Sequence, residues 1–220
     1  MAVIINKLIT GSMGVGASEV LDLTKTRVKY TVESGLSDWE GDIIGELTSS
    51  SIPNIRQAET IDTGNTVTSI GYRAFINCSK MTSITIPNGM TSIGEEAFSN
   101  CTGLTSVTIP NSVTSIGTNA FNGCLGIVSF TVGDGNVNYK SVNNLLLSKD
   151  GKTLIRGING NVTIPNGVTN IMDYAFYFCT GLTNVTIPDS VTHFGEWAFM
   201  YCESLTNITI PSSVTYIGSF

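Results

Sequence analysis

The sequence predicts a repeat solenoid: stacked coils with a parallel β-sheet on one face and short helical turns on the other. Three observations predict it. A 23-residue frame recurs along most of the chain, its apolar positions hold register between copies, and the composition is rich in hydroxyls and poor in charge. Thr (28) and Ser (23) form nearly a quarter of the 220 residues, while charged residues are only 13%, about half the usual share. A surface with so little charge is covered by hydroxyl and amide groups, which suits strands better than exposed helices. Hydrophobic residues at 41% suffice for a packed core.

Residues 1–57 do not carry the frame. Residues 1–24, with Gly11, Gly14 and Gly16, read as an arm or linker. Arg27–Glu33 and Ile43–Leu47 read as strands of a small N-terminal β cap. A solenoid needs its first apolar layer covered and its sheet edge occupied. Ala58, Ile61 and Thr63, followed by Gly64-Asn65, match a degenerate first coil, so the solenoid is expected to occupy 58–220.

The frame is clear from Val67 and restarts near Met90, Val113, Val168, Val191 and Val214, at offsets of 23, 23, 55, 23 and 23. It reads V-T-x-I-G-x-x-A-F-x-x-C-x-x-L-T-x-V-T-I-P-x-x. Val107 and Ile109 alternate with Ser106 and Thr108, the period of a half-buried strand. Pro110 cannot donate to a ladder and ends it. Val113 to Ile116 form a second extended piece, closed at Gly117. Ala120, Phe121 and Cys124 then fit one turn of helix or 3₁₀. One such unit cannot bury its apolar side; stacked units can.

The 55-residue gap is one coil plus 32 residues. Within it Asp150-Gly151 lies between two apolar runs, a hairpin signal. A β-hairpin inserted over about 134–160 is expected to interrupt the coils without breaking the solenoid.

The repeat resembles the BspA-type leucine-rich repeat of bacterial and protist surface proteins. The match rests on Ile-Gly-x-x-Ala-Phe-x-x-Cys-x-x-Leu-Thr-x-Val-Thr-Ile-Pro, followed at 171–188 and 194–211, and covers about 58–220. The resemblance implies a leucine-rich-repeat solenoid, a non-enzymatic role in adhesion or ligand binding, and a place at the cell surface. The start Met-Ala-Val-Ile-Ile-Asn-Lys does not read as a secretory signal, so a virion component or a trimmed chain are the alternative expectations.

Net charge is −6 and the isoelectric point about 4.7, which offers no electrostatic footprint for nucleic acid. No apolar run approaches a membrane span. The lone His193 takes the slot of Ser92 and Ser115, which flanks an inward position and is expected to face solvent. Gly133-Asp-Gly135 and Gly14-Val-Gly16 are not followed by a helix pattern, so they are weak phosphate loops. Cys78, Cys101, Cys124, Cys179 and Cys202 recur at the coil length, unlike the close spacing of zinc ligands. They are read as buried, reduced thiols. The sequons at Asn77, Asn100, Asn161, Asn184 and Asn207 arise from the repeat itself. No catalytic residue, metal or cofactor is expected.

Two surfaces are candidates for binding. The first is the outward sheet face, with Ser106 and Thr108, Asn184 and Thr186, and Asn207 and Thr209; its alternative is a plain solvated face. The second lies in the variable slots around Ala-Phe. These carry Tyr72, Arg73, Ile76 and Asn77, then Glu95, Glu96, Ser99 and Asn100, then Thr118, Asn119, Asn122 and Gly123 in early coils, and Tyr174, Tyr177, Phe178, Trp197, Met200 and Tyr201 in the last two full ones. Contiguous apolar surface of this kind marks an interface, unless it packs against the hairpin or a terminal cap. At the C-terminus, Phe220 folding down, another chain, or further repeats would each cover the last layer. The expected function is non-catalytic recognition of a protein or glycan, or self-association. The alternative is an architectural or fibre subunit, such as part of a phage particle.

Overall fold

In the computed structural model each 23-residue copy is a coil with three edges, and each edge is hydrogen-bonded to the same edge of the next coil. The structure describes residues 67–219 in full. Of the preceding part it describes the backbones of β1 (Arg27–Val32), β2 (Trp39–Asp42), β3 (Gly45–Leu47) and β4 (Ala58–Asp62). The arm read at 1–24, the turn Gly64-Asn65 and Phe220 lie outside the described residues.

The Leu-Thr-x-Val-Thr-Ile run makes the first edge, with β6 (Ser83–Thr85), β8 (Ser106–Ile109), β10 (Ser129–Val132), β14 (Gly160–Thr163) and β16 (Leu182–Thr186). The pleat decides which side chains enter the core: Val107 and Ile109 are buried while Ser106 and Thr108 are exposed. Pairing is parallel and in frame, as Ser106↔Ser129 and Thr108↔Thr131 show. At the N-terminal end β4 pairs parallel with β6, and β1 and β2 extend that sheet antiparallel.

The second edge is the shorter Val-Thr-x-Ile run. It contains β5 (Val67–Ile70), β7 (Ser92–Ile93), β9 (Ser115–Ile116), β15 (Asn170–Ile171), β17 (His193–Phe194) and β18 (Tyr216–Ile217). β3, β5, β7 and β9 form one parallel ladder; β15, β17 and β18 belong to another.

The third edge corrects the expectation of helical turns: among the described residues it contains turns and no helix. The reason is an alternation in the backbone. Ala74, Ile76 and Cys78 donate within the turn, to Gly71, Arg73 and Phe75. Arg73, Asn77 and their equivalents adopt left-handed backbone, with φ of 52° and 62°. Residues 73, 75 and 77 instead donate to Glu95, Ala97 and Ser99 of the next coil, at 2.8–3.0 Å. A helix would spend those N–H groups within its own turn. Here they hold neighbouring coils together.

Inside, the Phe rings of the Ala-Phe pairs stack on either side of the insertion, and Phe121 ends the first stack edge-on against Phe130. Phe75 and Phe98 lie 5.1 Å apart, Phe98 and Phe121 5.3 Å, and Phe176 and Phe199 4.8 Å, all near parallel. Beneath them, the thiols of Cys101, Cys124 and Cys202 donate to the carbonyls of Phe75, Phe98 and Phe176.

The insertion is a three-stranded antiparallel meander, one strand more than a hairpin. It comprises β11 (Tyr139–Val142), β12 (Leu145–Ser148) and β13 (Thr153–Arg156). Asn143 and Asn144, both with positive φ, turn the chain from β11 to β12. Asn tolerates that conformation, so this is a second turn signal beside Asp150-Gly151. Leu145, Leu146 and Leu147 are buried, and β13 joins the parallel ladder at β15 through Leu154↔Ile171. The meander thus takes the place of a coil, shortened at the third edge.

That shortening leaves a gap, and two residues bridge it. The amide of Gly157 donates to Ala175, as Phe98 donates to Ala120. Gly157 is therefore at the Phe position of its coil, and a Cβ there would collide with the Phe176 ring. The buried Arg156 guanidinium supplies the rest, donating to the carbonyls of Tyr174, Ala175 and Tyr177 and to Asn122 Oδ1.

Replacing Phe98 by Ala is expected to cost about 3–5 kcal/mol in denaturant unfolding, the range for aromatic truncation in a packed core. Ser106→Ala, on the outward face, should stay within about 0.5 kcal/mol. Gly157→Ala should destabilise by about 1–3 kcal/mol through overpacking, although Ala is the better residue at most positions; an unchanged midpoint would contradict the assigned packing.

Candidate interaction surface

The third edge carries two side-chain ladders, one above each left-handed position. In the early coils both are polar. The Arg73 guanidinium pairs with both carboxylate oxygens of Glu96 at 2.7 and 3.0 Å, and Asn100 Nδ2 donates to Asn77 Oδ1 at 3.0 Å. After the meander the same slots hold Tyr174 and Trp197 in one ladder, and Phe178 and Tyr201 in the other. The structure gathers these rings and Tyr177 into a single network. Tyr174–Trp197 centroids are 5.8 Å apart, Phe178–Tyr201 4.4 Å, and Tyr177 touches all four other rings at 4.8–6.2 Å. Met200 sits half-buried beside them, and its carbonyl accepts the Phe178 amide.

The backbone makes this substitution costly. Tyr174, Phe178, Trp197 and Tyr201 have φ of 57–61°, where the earlier coils place Arg73, Asn77, Glu96, Asn100, Asn119 and Gly123. Asn and Gly adopt that conformation readily, whereas a bulky side chain there costs about 1 kcal/mol or more. Strain of this kind is a pointer to function. The rings half-bury one another, and Tyr201 remains 45% exposed. Burial, then the neighbouring Tyr201 and Tyr174, pushes the Tyr177 phenol up, so it stays neutral. The sequence placed these side chains on one edge, but their left-handed backbone was missed. The recurrence of Asn, Asn and Gly at 77, 100 and 123 was the available signal.

The other predicted face is not continuous. Ser106 and Thr108 stand exposed on the β8–β10 pair, and Asn184 and Thr186 on the β14–β16 pair. Between them the Asn143-Asn144 turn intervenes, with Phe130 N donating to Asn144 O and Asn143 Nδ2 to Thr163 O. Asn207 and Thr209 are exposed on a segment outside any strand. Ile208 and Ile210 on this segment, and Ile217 in β18, hold slots that are inward in other coils but are 39–46% exposed.

At the shortened coil, between the Asn119 turn and Tyr174, lies a cavity of about 90 Å³, lined in part by Asn119, Asn122, Leu146, Ile155, Arg156 and Tyr174. The buried Asn119 Oδ1 facing this region has no hydrogen-bond partner. Among the described residues no group of three or more His, Cys, Asp or Glu could hold a metal ion, and no helix is long and apolar enough to cross a membrane.

All five cysteines are free thiols. Four are buried as expected, and Cys202 is only half-buried. Burial pushes the Cys179 thiol up, and burial together with the Cys179 thiol pushes Cys202 up to about 12.

These features define a leucine-rich-repeat solenoid, and comparison places it among its relatives. The BspA-type leucine-rich repeat region matches residues 44–145 and 158–220 in six copies, and the chain belongs to this family. No curated protein sequence matches it. Among solved structures, the pneumococcal vaccine antigen PcpA is similar over 71% of this chain, at 26% identity and a TM-score of 0.64. This chain covers 40% of that antigen's chain. A leucine-rich repeat protein from Eubacterium ventriosum aligns over 87% of this chain and 68% of its own, at 23% identity and a TM-score of 0.52, which supports the fold.

Thiol labelling of the native protein should show one cysteine, Cys202, reacting before the other four; labelling of Cys101 at an equal rate would contradict the burial. Raised thiol pKa values also set a pH dependence. Below about pH 8.5 the folded and unfolded chains both hold these protons. Above it the unfolded chain releases them and the folded chain does not, so stability should fall as pH rises from about 8.5 towards 12. Cys202→Ser should flatten that fall in a pH series of unfolding midpoints.

Proposed function

We propose that this chain is a non-catalytic recognition module that meets its partner through the aromatic ladders of its last two full coils. The observation that carries this reading is the placement of four aromatic residues at left-handed positions that earlier coils fill with polar residues or Gly. A core role is already met by the Phe stack inside, so the ladders are not needed for coil stacking. Tyr and Trp give large contact area with few rotamers to fix, which is why they dominate binding hot spots. Members of the family are binding scaffolds, which agrees with this reading. The split polar face around Ser106, Thr108, Asn184 and Thr186 offers no comparable anchor, and serves as a solvated flank.

The test is a double substitution, Trp197→Asn with Tyr201→Asn. Sister coils carry Asn at both slots, as Asn119 and Asn100, so the fold is expected to persist. Binding to arrays of immobilised extracellular proteins and glycans should weaken by about 2 kcal/mol or more, with circular dichroism unchanged. Unfolding of the variant, or undiminished binding by a folded one, would overturn the reading. Sedimentation of the intact protein separates this from a second reading, a self-associating architectural subunit, which the exposed Ile208, Ile210 and Ile217 favour.

A further inference from the structure

From Gly157 to Phe220 the chain contains four carboxylates, Asp173, Asp189, Glu196 and Glu203, and no Lys or Arg. All four are exposed. Three border the ring network: Asp173 precedes Tyr174, Glu196 precedes Trp197, and Glu203 follows two residues after Tyr201. Asp173 Oδ1 accepts the Glu196 amide at 2.7 Å, which holds the acids of the last two full coils at the same corner. In the early coils Glu95 holds the same slot as Asp173 and Glu196, but its neighbour Glu96 is paired with Arg73, a cation that the stretch from Gly157 onward lacks. Among the described residues Asp173, Glu196 and Glu203 have no ion pair. Arg156 lies buried with its guanidinium on the Tyr174 and Tyr177 carbonyls, so it forms no ion pair with these surface carboxylates.

Resting on the reading of the ladders as the contact surface, we infer that the partner presents a cationic polypeptide segment, with Arg or Lys side chains set among apolar ones. Ring faces attract guanidinium and ammonium groups through their quadrupole. A rim of unpaired carboxylates adds long-range attraction and excludes acidic competitors. Apolar residues between the cations would cover the half-buried rings. An acidic glycan or a nucleic acid would meet repulsion from the same rim.

The test uses the full chain and a labelled, end-capped peptide of alternating Arg and Leu, with a twin in which every Arg is Gln, read by fluorescence anisotropy. The Arg peptide should bind saturably and at least about tenfold more tightly than its twin. Its affinity should fall as salt rises from about 50 to about 300 mM. The triple variant Asp173→Asn, Glu196→Gln, Glu203→Gln should weaken it at least about tenfold. Asp189→Asn, on the corner between the two strand edges, should not. Equal binding of the two peptides, no saturable binding of the Arg peptide, or an unaffected triple variant would overturn the inference. If both peptides bind equally and both are lost in Trp197→Asn with Tyr201→Asn, the contact surface stands and the cationic partner falls. If that double variant changes neither peptide binding nor array binding, both fall.

Discussion

The rest of the structure depends on one constraint: no coil can satisfy its own backbone or bury its own apolar side. Every edge therefore hands its hydrogen bonds to the neighbouring coil, through the strands at two edges and through residues such as Arg73, Phe75 and Asn77 at the third. A hydrogen bond lost in a dry interior is costly. The 23-residue frame keeps equivalent donors and acceptors opposite one another from coil to coil, and a one-residue slip would turn the inward side chains outward. The stacked Phe rings and inward thiols follow from that register.

The meander shows how far the constraint bends. It removes most of one third edge, and with it the amide that would meet the Tyr177 carbonyl, while Gly157 still donates to Ala175. The guanidinium of Arg156 takes over, using a side chain with several donors where backbone has been deleted. The cation is desolvated and has carbonyl oxygens for partners, without a carboxylate. Burying a charge is tolerable only when its donors are well used, and three carbonyls with one side-chain amide oxygen supply that use. The cavity and the unpartnered Asn119 Oδ1 mark where the repair is incomplete.

The same break divides the surface into halves of different chemistry. Before it, the left-handed positions carry an ion pair and an amide ladder. After it they carry aromatic rings rimmed by carboxylates. The scaffold hydrogen bonds of the third edge are alike on both sides, from Glu96 to Thr118 and from Tyr174 to Glu196. What differs is only what the scaffold displays, and a repeat architecture allows this because display and stacking use different atoms of the same turn.

By itself the sequence determined the repeat length, the inward set from Phe75 to Phe199, the outward set around Ser106 and Thr108, and the edge on which the aromatic residues gather. Each follows from periodicity, which needs no knowledge of distant contacts. It gave the turn as helical because Ala120, Phe121 and Cys124 fit that spacing; spacing cannot report whether an N–H turns inward or to the next coil. Nor could it show that Gly157 replaces a Phe, that Arg156 caps a neighbouring coil, or that Asn143-Asn144 divides the polar face. Those were decided by tertiary structure, because each depends on a partner one coil away whose backbone direction is set only once the coils are stacked.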